Sequence, residues 1–137
     1  MLHVDHFSST VTERGRSKLI EEPLSKTVEV EESLLVLASV EKQDEINPEN
    51  VSGKAVDEIS KLGHQIKTST IVLHPFAHLF AEMSSPETAL KVMKLVEEGL
   101  SRREFKVVRT PFGWFNTLDL KAKGHPLSRV GRIVSSD

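Results

Sequence analysis

Thr70-Ile71-Val72-Leu73-His74-Pro75-Phe76-Ala77-His78-Leu79 is the stretch whose reading decides the fold. Its first half is an unbroken run of strand-forming residues, the pattern of a strand buried on both faces. Its second half opens on a proline, which biases the residue before it away from helix and stops the run abruptly. A strand that ends against Pro, Phe and His can display chemistry, because loop positions on a rigid frame are where functional groups sit. A second segment has the same character. Pro111-Phe112-Gly113 lies between the strand patterns Lys106–Val108 and Trp114–Leu120, and the chain then reaches Lys123-Gly124-His125-Pro126-Leu127.

Outward from these segments, Leu34–Val40 is another continuous apolar run and Thr27–Val30 alternates, so both read as strands. Met1–Phe7 reads as a short first strand, followed by a polar stretch to about Pro23. Asn47-Pro48 and Ser85-Pro86 each place a capping side chain before a proline, the chemistry that opens a helix. The first helix carries Val51, Ala55, Ile59, Leu62 and Ile66 on one stripe; the second carries Ala89, Val92, Met93, Val96 and Leu100. Val130–Val134 is read as a final short strand. There is no internal repeat or low-complexity linker. The expectation is one α/β domain over residues 1–137, a mixed sheet of five to seven strands with two principal helices.

A chain of 137 residues suits a single core. No apolar run approaches the roughly 18 residues that a membrane span needs. The N-terminus lacks the basic-then-apolar pattern of a signal peptide, and there is no cysteine for a disulfide or thiolate site. The reading is a cytoplasmic domain with no membrane partner. Net charge is −2, unevenly spread: residues 21–58 hold eleven acids, whereas residues 101–132 hold eight bases against Glu104 and Asp119. Such a basic third is either a footprint for a phosphate backbone or ordinary solvated charge.

Candidate side-chain chemistry is sparse. His74, His78 and Glu82 follow each other at four-residue steps, superficially a helical metal-ligand spacing. Pro75 argues for a strand end at His74, which removes the shared helical face, so neither a metal nor a cofactor is expected. His125 could touch phosphate, cap a turn or be exposed. Of Trp114 and Phe115, alternation sends one into the core and the other towards a cleft or partner. Dinucleotide, P-loop and nucleophile-elbow motifs are absent.

Ser39-Val40-Glu41-Lys42, His74–Leu79, Pro111-Phe112-Gly113-Trp114-Phe115 and Lys123-Gly124-His125-Pro126-Leu127 together resemble the N-terminal editing domain of archaeal threonyl-tRNA synthetase. Their order and spacing match across nearly the whole chain. The resemblance implies a D-aminoacyl-tRNA deacylase-like fold, a homodimer, and hydrolysis of the ester of serine wrongly attached to threonine tRNA, sparing the threonyl ester. It implies a substrate pocket of Val40, Pro75, Phe76, Ala77, His78, Phe112 and Phe115. Catalysis would draw on His78, Asn116 and the backbone of Val40 and Ala77. The partners implied are the 3′ end of a seryl-charged tRNA, touched by Lys121, Lys123 and Arg129, and the catalytic portion of the synthetase. The chain departs from the family pattern at four places. Asn116 replaces a lysine, Phe115 a tyrosine, Arg129 an acid, and Ala122 a cysteine. A D-aminoacyl-tRNA deacylase proper would carry a Gly-Pro dipeptide and a Ser-Gln-Phe-Thr-Leu-like stretch, and this sequence has neither. A non-catalytic tRNA-binding module is the other alternative.

Overall fold

The computed structural model describes residues 1–77 and 82–136. The element order is β1 (Leu2–Arg14), β2 (Thr27–Val30), β3 (Ser33–Ala38), a 3-10 turn at Lys42–Glu45, α1 (Pro48–Gln65), β4 (Thr70–Pro75), α2 (Pro86–Arg102), β5 (Lys106–Arg109) and β6 (Trp114–Ala122). The described strands form one six-stranded mixed sheet in the order β2-β1-β3-β4-β5, with β6 on the other edge of β1. The single α/β domain with two principal helices read from the sequence is the one observed.

Both helices start as their sequences dictate. The Asn47 side chain accepts the Asn50 N–H at 3.2 Å, and Ser85 accepts that of Thr88 at 3.2 Å. Proline follows each cap, where a missing N–H costs nothing. The two apolar stripes close over one face of the sheet. Val56, Ile59 and Leu62 of α1 and Val92, Met93, Val96 and Leu100 of α2 pack with Leu34, Val36, Ile71, Leu73 and Phe105. The opposite face holds a smaller cluster of Val4, Phe7, Leu35 and Val72. β3 and β4 are therefore buried on both faces, as their unbroken apolar runs require.

Two boundaries differ from the sequence reading. β1 does not stop at Phe7 but runs to Arg14, through residues read as polar loop. Its far half is held by β6 on one edge and β2 on the other, so backbone pairing supports a strand with little apolar content. β2 and β3 keep one register along β1, Leu2 facing Leu35 and Phe7 facing Val30. They are two halves of a single ribbon, interrupted at Glu31-Glu32. Val130–Val134 is not a strand; Leu2 and Arg129 form an isolated bridge just before it, and Val130 exchanges backbone hydrogen bonds with Met1. Beyond Val4 that edge of β1 already belongs to β6.

The Gly15–Ile20 loop folds onto the turn before β6. Gly15 N–H donates to Gly113 O at 2.8 Å, and a Cβ at Gly15 would lie 2.6 Å from that oxygen. Gly113 has φ +92°, and a Cβ there would sit 2.9 Å from Leu19 O. Gly113→Ala should therefore destabilise the protein by about 1–3 kcal/mol through strain at a positive φ and the clash. A urea titration reading α1 and α2 by circular dichroism checks this, and an unchanged midpoint would contradict the close approach.

Candidate functional site

Three parallel strands deliver the site. Ala38 lies beside Pro75, and Leu73 beside Arg109, so β3, β4 and β5 end at one edge of the sheet. Val40, Pro75–Ala77 and Pro111–Phe112 leave that edge together. Open α/β sheets bind ligands outside the carboxyl ends of their strands. Each exit is tied down by backbone. Phe76 N–H donates to Ala38 O at 2.8 Å, Ser84 N–H to Val40 O at 3.1 Å, and Lys42 N–H to Glu82 O at 2.8 Å. Val40, Pro75, Phe76 and Phe112 are partly exposed and Ala77 is exposed, so all five can meet a ligand. His78, the residue with the most obvious side-chain chemistry, lies outside the described residues, as does Phe80.

Glu21, which the sequence reading left in a polar stretch, organises the Phe112 side. Its carboxylate takes two hydrogen bonds from the Arg109 guanidinium and accepts the Phe112 N–H at 3.0 Å. Its N–H donates to Phe112 O at 3.0 Å, and its carbonyl accepts the Trp114 indole N–H at 2.7 Å. Arg109 reaches Glu97 on α2 as well, at 3.0 Å. Burial alone would raise the Glu21 carboxyl, but Arg109 and the Phe112 N–H outweigh it and hold it below the usual range. Loop, strand and helix thus meet on one half-buried guanidinium. An acid in a loop gives no sequence signal for such a role.

Phe115 and Asn116 lie at the start of β6, just past the Pro111–Phe112 exit. β6 pairs them with Glu13 and Val11 of β1. Alternation divides Trp114 from Phe115, but neither enters the core: the indole is partly exposed, held by Glu21 and under Arg14, while Phe115 is 55% exposed. The Asn116 amide donates to Trp114 O at 3.2 Å. No hydrogen bond among the described residues joins Phe115 or Asn116 to Val40 or Ala77.

His74 is a strand residue, not a helical ligand. Its ring is 3% exposed, shares a 2.8 Å hydrogen bond through Nδ1 with Thr110 Oγ1, and meets the Phe7 ring edge-on. Burial pushes its pKa down to about 4. Glu82 instead pairs with Lys42 at 3.8 Å. Among the described residues no group of three His, Asp or Glu side chains is arranged to hold a metal ion.

His125 is committed at both ring nitrogens. Nδ1 accepts the Leu127 N–H at 3.2 Å, and Nε2 lies 2.8 Å from His3 Nδ1. His3 Nε2 reaches Glu32 at 2.6 Å. The Leu127 N–H fixes the direction of the chain: His125 Nε2–H donates to His3, whose Nε2–H donates to Glu32. The cluster therefore locks the turn of the Lys-Gly-His-Pro-Leu motif against β1 and leaves no nitrogen for a ligand. His3 and Glu32 have no local sequence signature for this.

The basic third is largely neutralised from within. Arg102 pairs with Glu98, Arg103 with Asp57, Arg109 with Glu21 and Glu97, Lys123 with Asp5, and Arg132 with Glu58. Lys121 and Arg129 are exposed and have no ion-pair partner among the described residues. Of the three residues singled out for tRNA contact, two present an open charge and Lys123 shares its own with Asp5.

The geometry defines a class: an α/β domain with a site of loop backbone and apolar side chains at the carboxyl ends of three parallel strands. Residues 1–134 match the model of the archaea-specific editing domain of threonyl-tRNA synthetase. The chain belongs to that family. It is 40% identical over 134 residues to a threonine–tRNA ligase of Methanocaldococcus jannaschii, covering 98% of this chain and 21% of the relative. A Methanopyrus kandleri ligase is 41% identical over 137 residues, covering 99% and 22%. A Methanosarcina mazei ligase is 42% identical over 135, covering 98% and 21%. The chain spans about a fifth of the length of these curated relatives.

The buried His74 gives a test by pH. The unfolded chain protonates this ring near its ordinary 6.5, the folded chain only near 4. Its folded pKa is lowered, so its contribution is complete above pH 6.5 and is lost as pH falls towards 4, by on the order of 3 kcal/mol. His74→Gln should flatten that part of the stability profile relative to the wild type. Urea midpoints compared at several pH values across this window check it; parallel profiles would contradict the burial.

Proposed function

We propose that this domain proofreads threonine tRNA by hydrolysing the ester of wrongly attached serine. The observation that carries the reading is family membership over residues 1–134, combined with a site of backbone and apolar groups at the strand exits. A synthetic site that accepts threonine gains only about 1–3 kcal/mol against serine, which differs by one methyl. A second site that admits serine and crowds that methyl supplies the missing discrimination. Val40, Pro75, Phe76, Ala77, Phe112 and Phe115 are of the right character for such a wall, with His78 beside Ala77 in sequence.

Hydrolysis of an aminoacyl ester needs a positioned water, a donor for the oxyanion and a proton for the departing ribose oxygen. Phe76 N–H and Val40 C=O are already committed to Ala38 and Ser84, so these residues serve the site by fixing the path of the chain. Backbone donors along Val40 and Ala77 act on the developing oxyanion, where a preorganised N–H is most effective. Asn116 contributes at most a polar contact, since its amide is held by Trp114 O. The ribose 2′-hydroxyl next to the scissile ester is the nearest group able to orient or activate the water. The phosphates near the 3′ end of the tRNA are met by Lys121 and Arg129, with Lys123 giving up Asp5 to join them. The domain works as a homodimer alongside the catalytic portion of a synthetase.

Release of L-serine from threonine tRNA should be much faster than release of L-threonine; equal rates remove the proofreading reading. Alanine at His78 or Asn116 should leave substantial hydrolysis, whereas loss of a general base costs ~10²–10⁴-fold. A 2′-deoxy terminal adenosine charged on its 3′-oxygen should be cleaved far more slowly. Abolished turnover in His78→Ala with normal cleavage of the deoxy substrate would make the mechanism protein-based.

Binding should depend on salt, and neutralising Lys121 and Arg129 together should reduce the slope of log affinity against log salt by about one for each phosphate no longer neutralised. An unchanged slope in filter-binding titrations would assign both charges to ordinary surface.

A further inference from the structure

His74 and Thr110 are buried polar residues at the carboxyl ends of β4 and β5, where apolar side chains would fill the space more simply. Their position in the ladder explains the choice. Thr110 N–H donates to Leu73 O at 3.0 Å, the last backbone bond between the two strands among the described residues. The next residue of the ladder on β4 is Pro75, and the next on β5 is Phe112. Pro75 has no N–H, and the Phe112 N–H is taken by the Glu21 carboxylate, so backbone pairing does not continue across the two exits. Beyond that point the 2.8 Å bond from His74 Nδ1 to Thr110 Oγ1 is the one described hydrogen bond joining the chain that becomes Pro75–Ala77 to the chain that becomes Pro111–Phe112. The pair is also dry, with the two residues 3% and 2% exposed, and the Phe7 ring against the imidazole. A hydrogen bond in such surroundings holds its geometry without competition from water.

We propose that His74 and Thr110 are a positioning pair that sets the distance between the two site walls, Pro75–Ala77 and Pro111–Phe112. Neither touches substrate. They act by carrying the sheet's spacing past the point where Pro75 and the Glu21-bound Phe112 end the ladder. This rests on the proofreading reading for its kinetic consequence, but not for its structural one. A methyl-sized decision needs walls fixed to a fraction of an ångström, and a misplacement of ~1 Å can cost ~10²-fold in rate.

The test compares Thr110→Val, which keeps the shape and removes the hydroxyl, with Thr110→Ser, which keeps the hydroxyl. Steady-state and single-turnover deacylation of seryl-tRNA(Thr) and threonyl-tRNA(Thr) are read beside backbone amide shifts of the free protein. Thr110→Val should keep helical circular dichroism and KM while lowering kcat about tenfold or more, within the ~10²-fold that misplacement can cost. It should also narrow the serine-to-threonine ratio. Thr110→Ser should restore both. In the free protein, Thr110→Val should shift the amides of Phe76, Ala77, Phe112 and Gly113 and leave those of α1 unmoved.

A folded Thr110→Val with wild-type kcat and discrimination would overturn the proposal, as would failure of serine to rescue. If the wild type hydrolyses neither ester, the proofreading reading fails and the amide shifts alone decide. Shifts at both exits support the pair; shifts at neither overturn it.

Discussion

Parallel alignment of β3, β4 and β5 is the constraint from which the rest of this structure follows. Parallel neighbours cannot be joined by a tight turn, so each pair needs a long crossover, and those crossovers contain α1 and α2. Both helices lie on one face, so the strands must be apolar there, while Val4, Phe7, Leu35 and Val72 serve the other. The same alignment sends all three carboxyl ends to one edge. The candidate site is a by-product of how the core is closed.

Legibility in the sequence follows the physics of each element. The starts of α1 and α2 are readable to the residue because their caps are local chemistry, an Asn or Ser side chain before a proline. β3 and β4 are legible because burial on both faces leaves an unbroken apolar signature. The outer half of β1 is not, since Ser8–Arg14 is supported by two neighbouring strands rather than by burial, and polarity there reads as loop. Val130–Val134 misleads in the opposite direction: it has the composition of a strand, but the edge of β1 beside it carries β6 beyond Val4, and Ile133 is 84% exposed.

The site divides along the same line. The strand exits with Val40, Pro75, Phe76, Ala77 and Phe112 are readable as motifs because prolines and aromatics interrupt apolar runs. The groups that hold those exits come from distant parts of the chain. Glu21 joins Arg109 across 88 positions, and His3 joins His125 across 122. No local pattern encodes such partners, since each is an ordinary residue until the fold brings it to its mate. The basic third shows the same effect in charge: residues that look like a patch along the sequence are mostly partners of acids elsewhere.

That internal pairing shapes how the molecule meets a polyanion. A protein whose net charge is −2 and whose arginines mostly face their own carboxylates projects little attractive potential beyond its surface. Electrostatic steering can lift association towards ~10⁸–10⁹ M⁻¹s⁻¹, while a neutral encounter stays near ~10⁵–10⁶ M⁻¹s⁻¹. The charge pairing of this chain favours the slower regime. On the proofreading reading proposed above, such a surface suits an end that is handed to it better than one it must find.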